Sequence, residues 1–496
     1  MNARTSSLLC PVTVVGLLLC GAPLGSAQNV GAAPGVASGA PVSQADGNVD
    51  SGHQADVASF DLDGALVSSE RGLTSDDAGK RARERAPQIA SAEASAESAE
   101  WDAKVQKSSF LPTVSLSAQY KRINQVNNNL FDPSMLPPDV ANLFSKSNFT
   151  QPLNNYTFAA TARWPVSDLF FRVLPSYKAA KILREARGID VDTRTASAEL
   201  TAREAFYAHA RAFATLLVAE QALKQAEAQA AQAKLFVDAG TAAPVDLMTA
   251  TARVESMRSA MARGRGAVAI TRNTLAVLMG IPTSDVNGIR EPVTQLPEAP
   301  KDSVEDLLKR GLEQRPELRA IRKLVGANEH LKLAEKGAAL PVLSVEGTAL
   351  EANPNPRYVP PKAAFRHSWE VGATLAWTPN SALIGYQRAH RAGAELAKAR
   401  ADLMALEDGV RMEVVQSFED YKAADAAARS SEAQQKAAEE TYRVRLATYR
   451  VGAGVQIDLL AADLALTQAR LDRVNAALDA RISLARLARA TGESAH

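Results

Sequence analysis

The fold of this chain is decided by a stretch that occurs twice, as FVDAGTAAPVDL at residues 236–247 and as TYRVGAGVQIDL at residues 448–459. Each copy lies between long alanine-rich segments that favour helices. In each copy the glycine suits the position just past a helix end, and the aspartate six residues later suits the first turn of the next helix. Both copies therefore predict the tip of a helical hairpin. The two pairs are Gly240 with Asp246 and Gly452 with Asp458.

The tips are one part of a longer duplication. Two prolines 25 residues apart open each half, and a tryptophan, the tip aspartate and a glycine follow them in the same order. We expect one structural unit used twice, with a first repeat at residues 59–280, a connecting segment at 281–312 and a second repeat at 313–496. The matching pairs are Pro87 and Pro316, Pro112 and Pro341, Trp164 and Trp377, Asp246 and Asp458, and Gly280 and Gly492.

The beginning of the chain has the pattern of a secretory signal. Residues 1–27 combine a short apolar run with small residues before a cleavage site. The run is too short to span a membrane, which takes about 20 apolar residues. Cys20 offers the alternative of a lipid-anchored N-terminus, although Leu19 precedes it where such sites take a small residue. Cleavage after Ala27 leaves a chain without cysteine that is held by packing alone, and residues 28–58 predict a flexible lead.

Four segments alternate between apolar and polar residues, at residues 113–120, 156–164, 343–349 and 369–377. Period-two alternation predicts strands with one apolar and one polar face. Aromatic residues stand at both ends of the second and fourth segments, as at the rims of outer-membrane barrels. An antiparallel sheet in a soluble sandwich is the alternative for any single strand. In an exported chain we expect membrane-spanning strands, with the rim aromatics Tyr156, Trp164, Trp369 and Trp377.

Long polar loops join the strands of each pair, at residues 121–155 and 350–367, as on the outer face of such a barrel. Four strands cannot close a barrel by themselves, and open sheet edges cannot lie in lipid. If the strands cross a membrane, the subunit must therefore share them with copies of itself. Outer-membrane lipid is then one of its partners.

The remaining segments predict long helices. Residues 176–238 contain no proline and predict a helix of about 90 Å, and residues 385–451 predict a second of similar length. Shorter return arms are expected at residues 245–279 and 457–490. Apolar residues recur every seven positions in both arms and predict coiled-coil seams. The seam residues are Val254, Met261, Val268 and Leu275 in the first arm, and Leu464, Leu471 and Leu478 in the second. The predicted fold is mainly α with a β-barrel part.

This arrangement resembles the outer membrane efflux proteins of Gram-negative bacteria, the TolC-like channel-tunnels. The resemblance runs from about Leu73 to Gly492 and rests on the duplicated proline spacing, the strands ending in Trp164 and Trp377, and the two tips. It implies a homotrimer in which twelve strands close an outer-membrane barrel and twelve helices form a hollow cylinder across the periplasm. It also implies passive export in a tripartite efflux or type I secretion system, with a periplasmic adaptor and an inner-membrane transporter as partners.

The resemblance also assigns roles to the tips. Asp246 and Asp458 fall where the family places acidic residues at the narrow entrance, and Tyr449 falls where a tyrosine holds the closed tip through hydrogen bonds. A ring of carboxylates in a narrow bore favours cations, whereas electrostatics at the helix start is the alternative role for each aspartate. The implied adaptor contacts are Val237, Gly240, Thr241, Val451, Gly452 and Ala453.

The chain departs from the family pattern in two places. Some members carry an arginine and a second aspartate that form a charged lock, where this chain has Gly454 and Ala461. Closure is therefore expected to depend more on Tyr449 and packing. The glycine-rich turn after the strand-end tryptophan is replaced by Pro165 and Pro379 with their neighbours, so the turn from strand to helix must be built differently.

Other functions have little support in the sequence. The 56 basic and 55 acidic residues balance, so nothing points to nucleic acid. We find no zinc-binding H-E-x-x-H pair, nucleophile turn, phosphate loop or dinucleotide fingerprint, and expect no enzyme activity, cofactor or metal. His209 and His330 are expected on helix surfaces. The main alternative is an exported periplasmic coiled-coil scaffold or adaptor without a channel, which would not need four amphipathic strands. The exported substrate does not follow from these residues.

Overall fold

The computed structural model of the chain describes residues 62–67, 72–124, 137–139, 152–286, 288–359 and 361–493. The predicted signal and lead at residues 1–58 lie outside the described residues, as does most of the predicted loop between 121 and 155. Within the described part, the mainly helical fold with a small antiparallel sheet is confirmed.

Helices and strands follow one another in the order that the sequence predicts. The helices are α1 (Leu62–Leu66), α2 (Ser75–Arg85), α3 (Pro87–Ser108), α4 (Leu174–Asp238), α5 (Pro244–Met279), α6 (Val304–Gln314), α7 (Pro316–Gly337), α8 (Pro379–Arg450) and α9 (Gln456–Thr491). The strands are β1 (Thr113–Arg122), β2 (Asn154–Trp164), β3 (Val342–Asn353) and β4 (Arg366–Ala376). Short helical turns at Val166–Asp168 and Thr283–Asp285 and a π-helical turn at Leu169–Val173 complete the order.

The two return arms, α5 and α9, are matched in length and in how they end. Both have 36 residues, and each is followed by a glycine in the left-handed conformation, Gly280 with φ 64° and Gly492 with φ 78°. A side chain with a β-carbon rarely adopts that conformation, so glycine is the residue that terminates both helices. The outgoing helices α4 and α8 have 65 and 72 residues and confirm the predicted long helices.

The four strands form one antiparallel sheet in the order β1-β2-β3-β4, and the outer edges of β1 and β4 have no strand beside them in the described chain. Cross-strand partners share a face. Leu116 is opposite Ala160, which is opposite Ala349, which is opposite Trp369. This face is apolar and open: 81% of Leu116 and 67% of Trp369 is exposed. The other face is polar, with residues such as Ser115, Thr161, Thr348 and Glu370.

The strand-end tryptophans tie the sheet to the helices. The indole of Trp164 donates a hydrogen bond to the carbonyl of Phe110 at 3.0 Å, and that of Trp377 donates to the carbonyl of Ala339 at 3.4 Å. Phe110 and Ala339 occupy equivalent positions just after α3 and α7. Each tryptophan therefore fixes the end of one strand to the start of the preceding one in the same repeat, besides any role at a membrane rim.

The two turns from strand to helix differ, and neither uses a glycine. After β4, Pro379 stands in the first turn of α8, where its missing N–H costs nothing. After β2, Pro165 leads through the π-helical turn into α4. Gly337, at the end of α7, lies against the carbonyl of Phe171 in that turn. The two repeats interlock at this point.

Two buried clusters hold the middle of the helical part. The first joins the N-terminal helices to α4, α5 and α9, with Phe206, Leu275 and Leu478 among its members. The second joins α6, α7, α8 and α9 around Leu318 and Val414. No described helix is both long and apolar enough to cross a membrane.

The seam prediction is confirmed in part. In α5, Val254 and Leu275 are buried, whereas in α9 Leu478 is buried but Leu464 is half exposed. The seam of α9 near the tip consists instead of Leu459 and Leu466, which are also seven residues apart. Leu464 was therefore wrongly placed, because several leucines of α9 share the same period and only the packing partner decides which row faces inward.

Candidate channel entrance

Both tips are closed by the same backbone hydrogen bonds. The N–H of Gly240 donates to the carbonyl of Val237 at 2.9 Å, and that of Gly452 donates to the carbonyl of Tyr449 at 3.0 Å. The φ angles of the two glycines are 77° and 76°, in the left-handed region. The sequence prediction that each stretch ends one helix and starts the next is correct, with α5 and α9 as the next helices.

The two tip aspartates lie in the first turns of α5 and α9. The carboxylate of Asp458 accepts a hydrogen bond from the guanidinium of Arg445 at 3.0 Å, and both side chains are about half exposed. The carbonyl of Asp246 accepts a hydrogen bond from the side-chain amide of Gln456 at 2.8 Å, which links the two hairpins at their tips. The structure thus gives both aspartates the expected place at a helix start.

Arg445 is a charged partner that the sequence analysis missed. It precedes Gly452 by seven residues, and Asp458 follows that glycine by six. Residues at nearly equal distances from the tip of an antiparallel hairpin lie side by side, so this spacing is the signal that could have found the pair. Arg445 supplies a positive charge to Asp458 from within the same hairpin.

Tyr449 joins the hairpins by packing. Its ring meets that of Phe236 edge to face, with centroids 5.5 Å apart, and its side chain is buried. Leu459 and Leu466 belong to the same buried cluster. Burial raises the pKa of Tyr449, and the nearby charge of Asp246 raises it further, so the phenol stays protonated. Its role in holding a closed entrance stays a prediction.

Gly454 is required by a close approach of the backbone. A β-carbon at this position would lie 2.9 Å from the amide nitrogen of Tyr449 and 3.1 Å from its α-carbon. Both atoms belong to the main chain and cannot move aside as a side chain can. The second tip therefore has no room for an arginine at this position without refolding, which is a physical reason for the missing charged lock.

The predicted adaptor contacts lie at the two tips, mostly exposed to solvent. Val237 is half buried, and the other five are exposed: Gly240, Thr241, Val451, Gly452 and Ala453. Val451 is 78% exposed and leaves an apolar side chain open at the second tip. The contact with an adaptor remains a prediction.

A buried ionic network lies behind the tips and was not expected from the sequence. Asp463 of α9 is fully buried and lies 3.1 Å from the guanidinium of Arg253 in α5. The side-chain amide of Gln229 in α4 donates to Asp463 at 3.5 Å and to the hydroxyl of Tyr442 in α8 at 3.2 Å. Asp463 thus joins α9 to α4 and α5, and Gln229 connects this group to Tyr442 of α8.

A second buried charge extends this network along α9. Arg470 is almost fully buried, and its guanidinium lies 3.7 Å from the carboxylate of Glu439 in α8. Burial raises the pKa of Asp463, with the charge of Arg253 opposing it, and burial lowers the pKa of Arg470. The sequence signal was an aspartate inside the apolar row from Leu459 to Leu466, since a polar residue in a seam fixes how helices pair.

His209 is buried in α4, so the prediction of a surface position was wrong. Its Nδ1 lies 3.1 Å from the hydroxyl of Thr271 in α5. Burial lowers the pKa of His209 to about 4, and the positive charge of Arg272 contributes. Alanine-rich faces bring α4 and α5 close together, which encloses a side chain that an isolated helix would expose.

His209 should make the helical part sensitive to acid. Its pKa is lowered in the folded state, so between pH 6.5 and 4 the unfolded state binds a proton that the folded state does not. We expect a loss of up to about 3 kcal/mol over this window, complete below pH 4. His209→Gln should lose much less stability between pH 7 and 4.5, measured by thermal unfolding of the helical signal. The exposed His390→Gln should behave as the unchanged protein, and an equal acid loss in all three would contradict the prediction.

The described residues contain no group of three histidine, cysteine, aspartate or glutamate side chains that could hold a metal ion. The polar clusters behind the tips consist of paired opposite charges instead.

Comparisons with known proteins agree with the fold. Residues 78–281 match the family model described as outer membrane efflux protein. A comparison with curated protein sequences finds no match. The family is one of channels and not of enzymes.

Solved outer membrane channels share the fold over nearly the whole chain. The Campylobacter jejuni CmeC outer membrane channel is 16% identical, with a TM-score of 0.71 over 87% of this chain and 88% of that chain. The Neisseria gonorrhoeae MtrE outer membrane channel, solved in its open state, is 18% identical, with a TM-score of 0.68 over 84% and 89%. The outer membrane protein VceC from Vibrio cholerae is 14% identical, with a TM-score of 0.69 over 84% and 96%. The resemblance to efflux channels and the outer-membrane location are thereby confirmed.

Proposed function

Since the chain resembles the outer membrane efflux proteins in sequence over residues 78–281 and in fold over most of its length, we propose that it is the subunit of a trimeric export channel. The trimer would give passive passage across the outer membrane and the periplasm. It would work in a tripartite efflux or type I secretion system, with a periplasmic adaptor and an inner-membrane transporter.

The sheet carries this proposal. Its apolar face is exposed, and its edge strands β1 and β4 have no partner strand among the described residues. Such a sheet is stable in lipid only when its edges are paired, because an unpaired backbone amide or carbonyl costs several kcal/mol there. Three copies supply twelve strands, so β4 of one copy can pair with β1 of the next. The apolar face then meets lipid and the polar face lines the lumen.

The helices support the same closure. α4 packs between α3 and α7, and α7 packs on α8, so α3 and α8 are the two outer edges of this layer. Both edges expose large side chains, including Trp101 on α3 and Tyr386 on α8. When two different surfaces of identical subunits bind each other, the contact repeats from subunit to subunit and can close a ring. We assign the α3 and α8 edges to neighbouring subunits of the trimer.

The tips would form the entrance of the channel. Three copies place Asp246 and Asp458 in a ring, where carboxylates favour cations. Arg445 offsets part of the charge of Asp458, so Asp246 is expected to contribute more to the selectivity. The exposed Val451 and the glycines beside it are proposed to meet the adaptor.

Arg445→Ala should increase cation selectivity. The pair with Asp458 is half exposed and contributes only about 0–1 kcal/mol, so the fold should be unaffected while the ring gains uncompensated charge. Reversal potentials across a planar bilayer under a salt gradient would measure the change, and Asp246→Asn should shift them the opposite way. Arg443→Ala is the control, because Arg443 pairs with Glu440 on the same helix. Equal shifts for Arg443→Ala and Arg445→Ala would contradict this role.

The decisive experiment for the channel is the protein mass of the particle extracted from outer membranes in mild detergent. Light scattering corrected for bound detergent should give three times the mass of the chain. A monomer or dimer in the soluble periplasmic fraction would overturn the channel and leave the coiled-coil scaffold.

A further inference from the structure

The connection between β3 and β4 folds back onto the sheet. The side-chain amide of Asn355 donates to the carbonyl of Arg366 at 2.8 Å and to the hydroxyl of Ser368 at 2.9 Å. Asn355 is only 2% exposed. The hydroxyl of Tyr358 donates to the carbonyl of His367 at 3.2 Å. Residues 354–359 are therefore held against β4 by a set of hydrogen bonds.

The register shows which face this segment covers. Ser368 shares a face with Glu370, which is opposite Thr348. The hydroxyl of Thr348 lies 3.2 Å from that of Thr161, so all of these belong to the polar face. Ala352 is on the same face, and only 1% of it is exposed, whereas most residues of the sheet are exposed or half-buried. The segment thus lies over the end of the polar face that is farthest from the helices.

The end of the connection, at Phe365, lies on the opposite face of the sheet. Phe365 packs with its ring 6.0 Å from that of Tyr156 and 6.2 Å from that of Phe158, on the apolar side. Tyr156 also packs on Tyr120 at 5.0 Å. An aromatic cluster thereby holds the far end of the strands together and anchors the connection at its second end.

Arg357 places a charge on the covered polar face. Its guanidinium donates to the carbonyl of Trp369 at 2.9 Å and forms an ion pair with Glu370. Its amide donates to the side-chain oxygen of Asn355 at 3.0 Å. Arg366 lies over the ring of Tyr358 at 4.6 Å, and the register puts Lys121 on the polar face as well. In the described structure, the strands at this end of the polar face and residues 354–359 together carry three cations, Arg357, Arg366 and Lys121, and one carboxylate, Glu370.

We propose that residues 354–359 narrow the outer mouth of the lumen, and that Arg357, Arg366 and Lys121 make this constriction favour small anionic solutes over cations and over bulky solutes. This inference rests on the proposed trimeric barrel, in which the polar face is the lumen. Three copies of an inward segment reduce the bore from three sides. Fixed cations in a narrow, water-filled passage raise the local concentration of anions. The mouth would then carry the opposite sign of charge from the tip aspartates.

The constriction can be tested without involving the tips by adding thiol reagents outside the cell and measuring their reaction with a cysteine in the barrel. Cysteine would replace Ser117, on the polar face of β1, or Leu116, on the apolar face. The natural cysteines Cys10 and Cys20 lie within the predicted signal and would be replaced if they remain. Small anionic, small cationic and bulky thiol reagents would be added to intact cells. We expect Ser117→Cys to react with the small anionic reagent about tenfold faster than with the bulky reagent and several-fold faster than with the small cationic one. Leu116→Cys should not react.

Two variants assign the effect to the loop. Asn355→Ala should release the segment and bring the bulky reagent to within about threefold of the small one, and Arg357→Gln should remove much of the preference for the anionic reagent. Arg411→Gln, on the exposed surface of α8, should change neither ratio. Trimer mass in detergent would show that each variant is assembled.

The outcomes separate the two proposals. If Ser117→Cys with the natural loop sequence reacted equally fast with small and bulky reagents, the constriction would be overturned. If it reacted equally fast with the small anionic and the small cationic reagent, the anion preference would be overturned. A reactive Leu116→Cys with an unreactive Ser117→Cys would instead overturn the barrel orientation on which both rest.

Discussion

Replacing Asp463 with alanine is expected to destabilise the two hairpins by about 3–5 kcal/mol. The carboxylate is fully buried, and its removal leaves the buried guanidinium of Arg253 without its countercharge. The amide of Gln229 loses an acceptor at the same time. The loss should appear as a lower midpoint in chemical denaturation and as faster hydrogen exchange in α5 and α9 near the tips.

Three comparisons make this prediction specific. Asp472→Ala, which removes a carboxylate bonded to Gln468 on the surface of the same helix, should cost well under 1 kcal/mol. Arg253→Met alone should be as damaging as Asp463→Ala. The double variant Arg253→Met, Asp463→Ala should be more stable than the sum of the two single losses implies, because neither member of the pair is then left buried without its countercharge. Strict additivity of the two single losses would show that the pair is not coupled.

Gly337→Ala is expected to cost about 2–4 kcal/mol, an unusually large effect for the addition of one methyl group. The new β-carbon would lie 2.1 Å from the carbonyl oxygen of Phe171 and 2.5 Å from its carbonyl carbon. These are main-chain atoms, so α7 must move away from the turn that precedes α4. The midpoint of thermal unfolding of the detergent-solubilised protein and the yield of the proposed trimer should both fall.

Gly326→Ala is the matched control, because Gly326 lies in the same helix with no atom near the position of a β-carbon. Alanine favours a helix over glycine by about 0.5–1 kcal/mol, so this variant should be neutral or slightly more stable. If Gly337→Ala matched Gly326→Ala, the close packing at Phe171 would not matter to stability.

The regular elements were predictable because their signals are local. Period-two alternation located all four strands, and the absence of proline together with a glycine at each tip located the long hairpins. The positions of Asp246, Asp458 and Tyr449 followed from the tips, whereas their proposed roles at the entrance come from the resemblance.

The missed residues depend on which helices meet. No pattern near Asp463 in the sequence predicts that Arg253, 210 residues away, forms an ion pair with it. The burial of His209 and the exposure of Leu464 likewise follow from the choice of neighbouring helix. Asn355 and Arg357 lie in a proline-rich connection whose sequence predicts only a polar loop. The hydrogen bonds and the strand register show that they cover one face of the sheet.

The π-helical turn at Leu169–Val173 compensates for a one-residue difference in length between the two repeats. Trp164 and Gly240 are 76 residues apart, whereas Trp377 and Gly452 are 75 apart. One extra residue in an α-helix rotates everything beyond it by about 100°, which would turn one tip away from the other. A π-helical turn takes up an additional residue within a single turn of the helix. The length change is thus absorbed beside Gly337, and the two copies could diverge in length without losing the alignment of their distant ends.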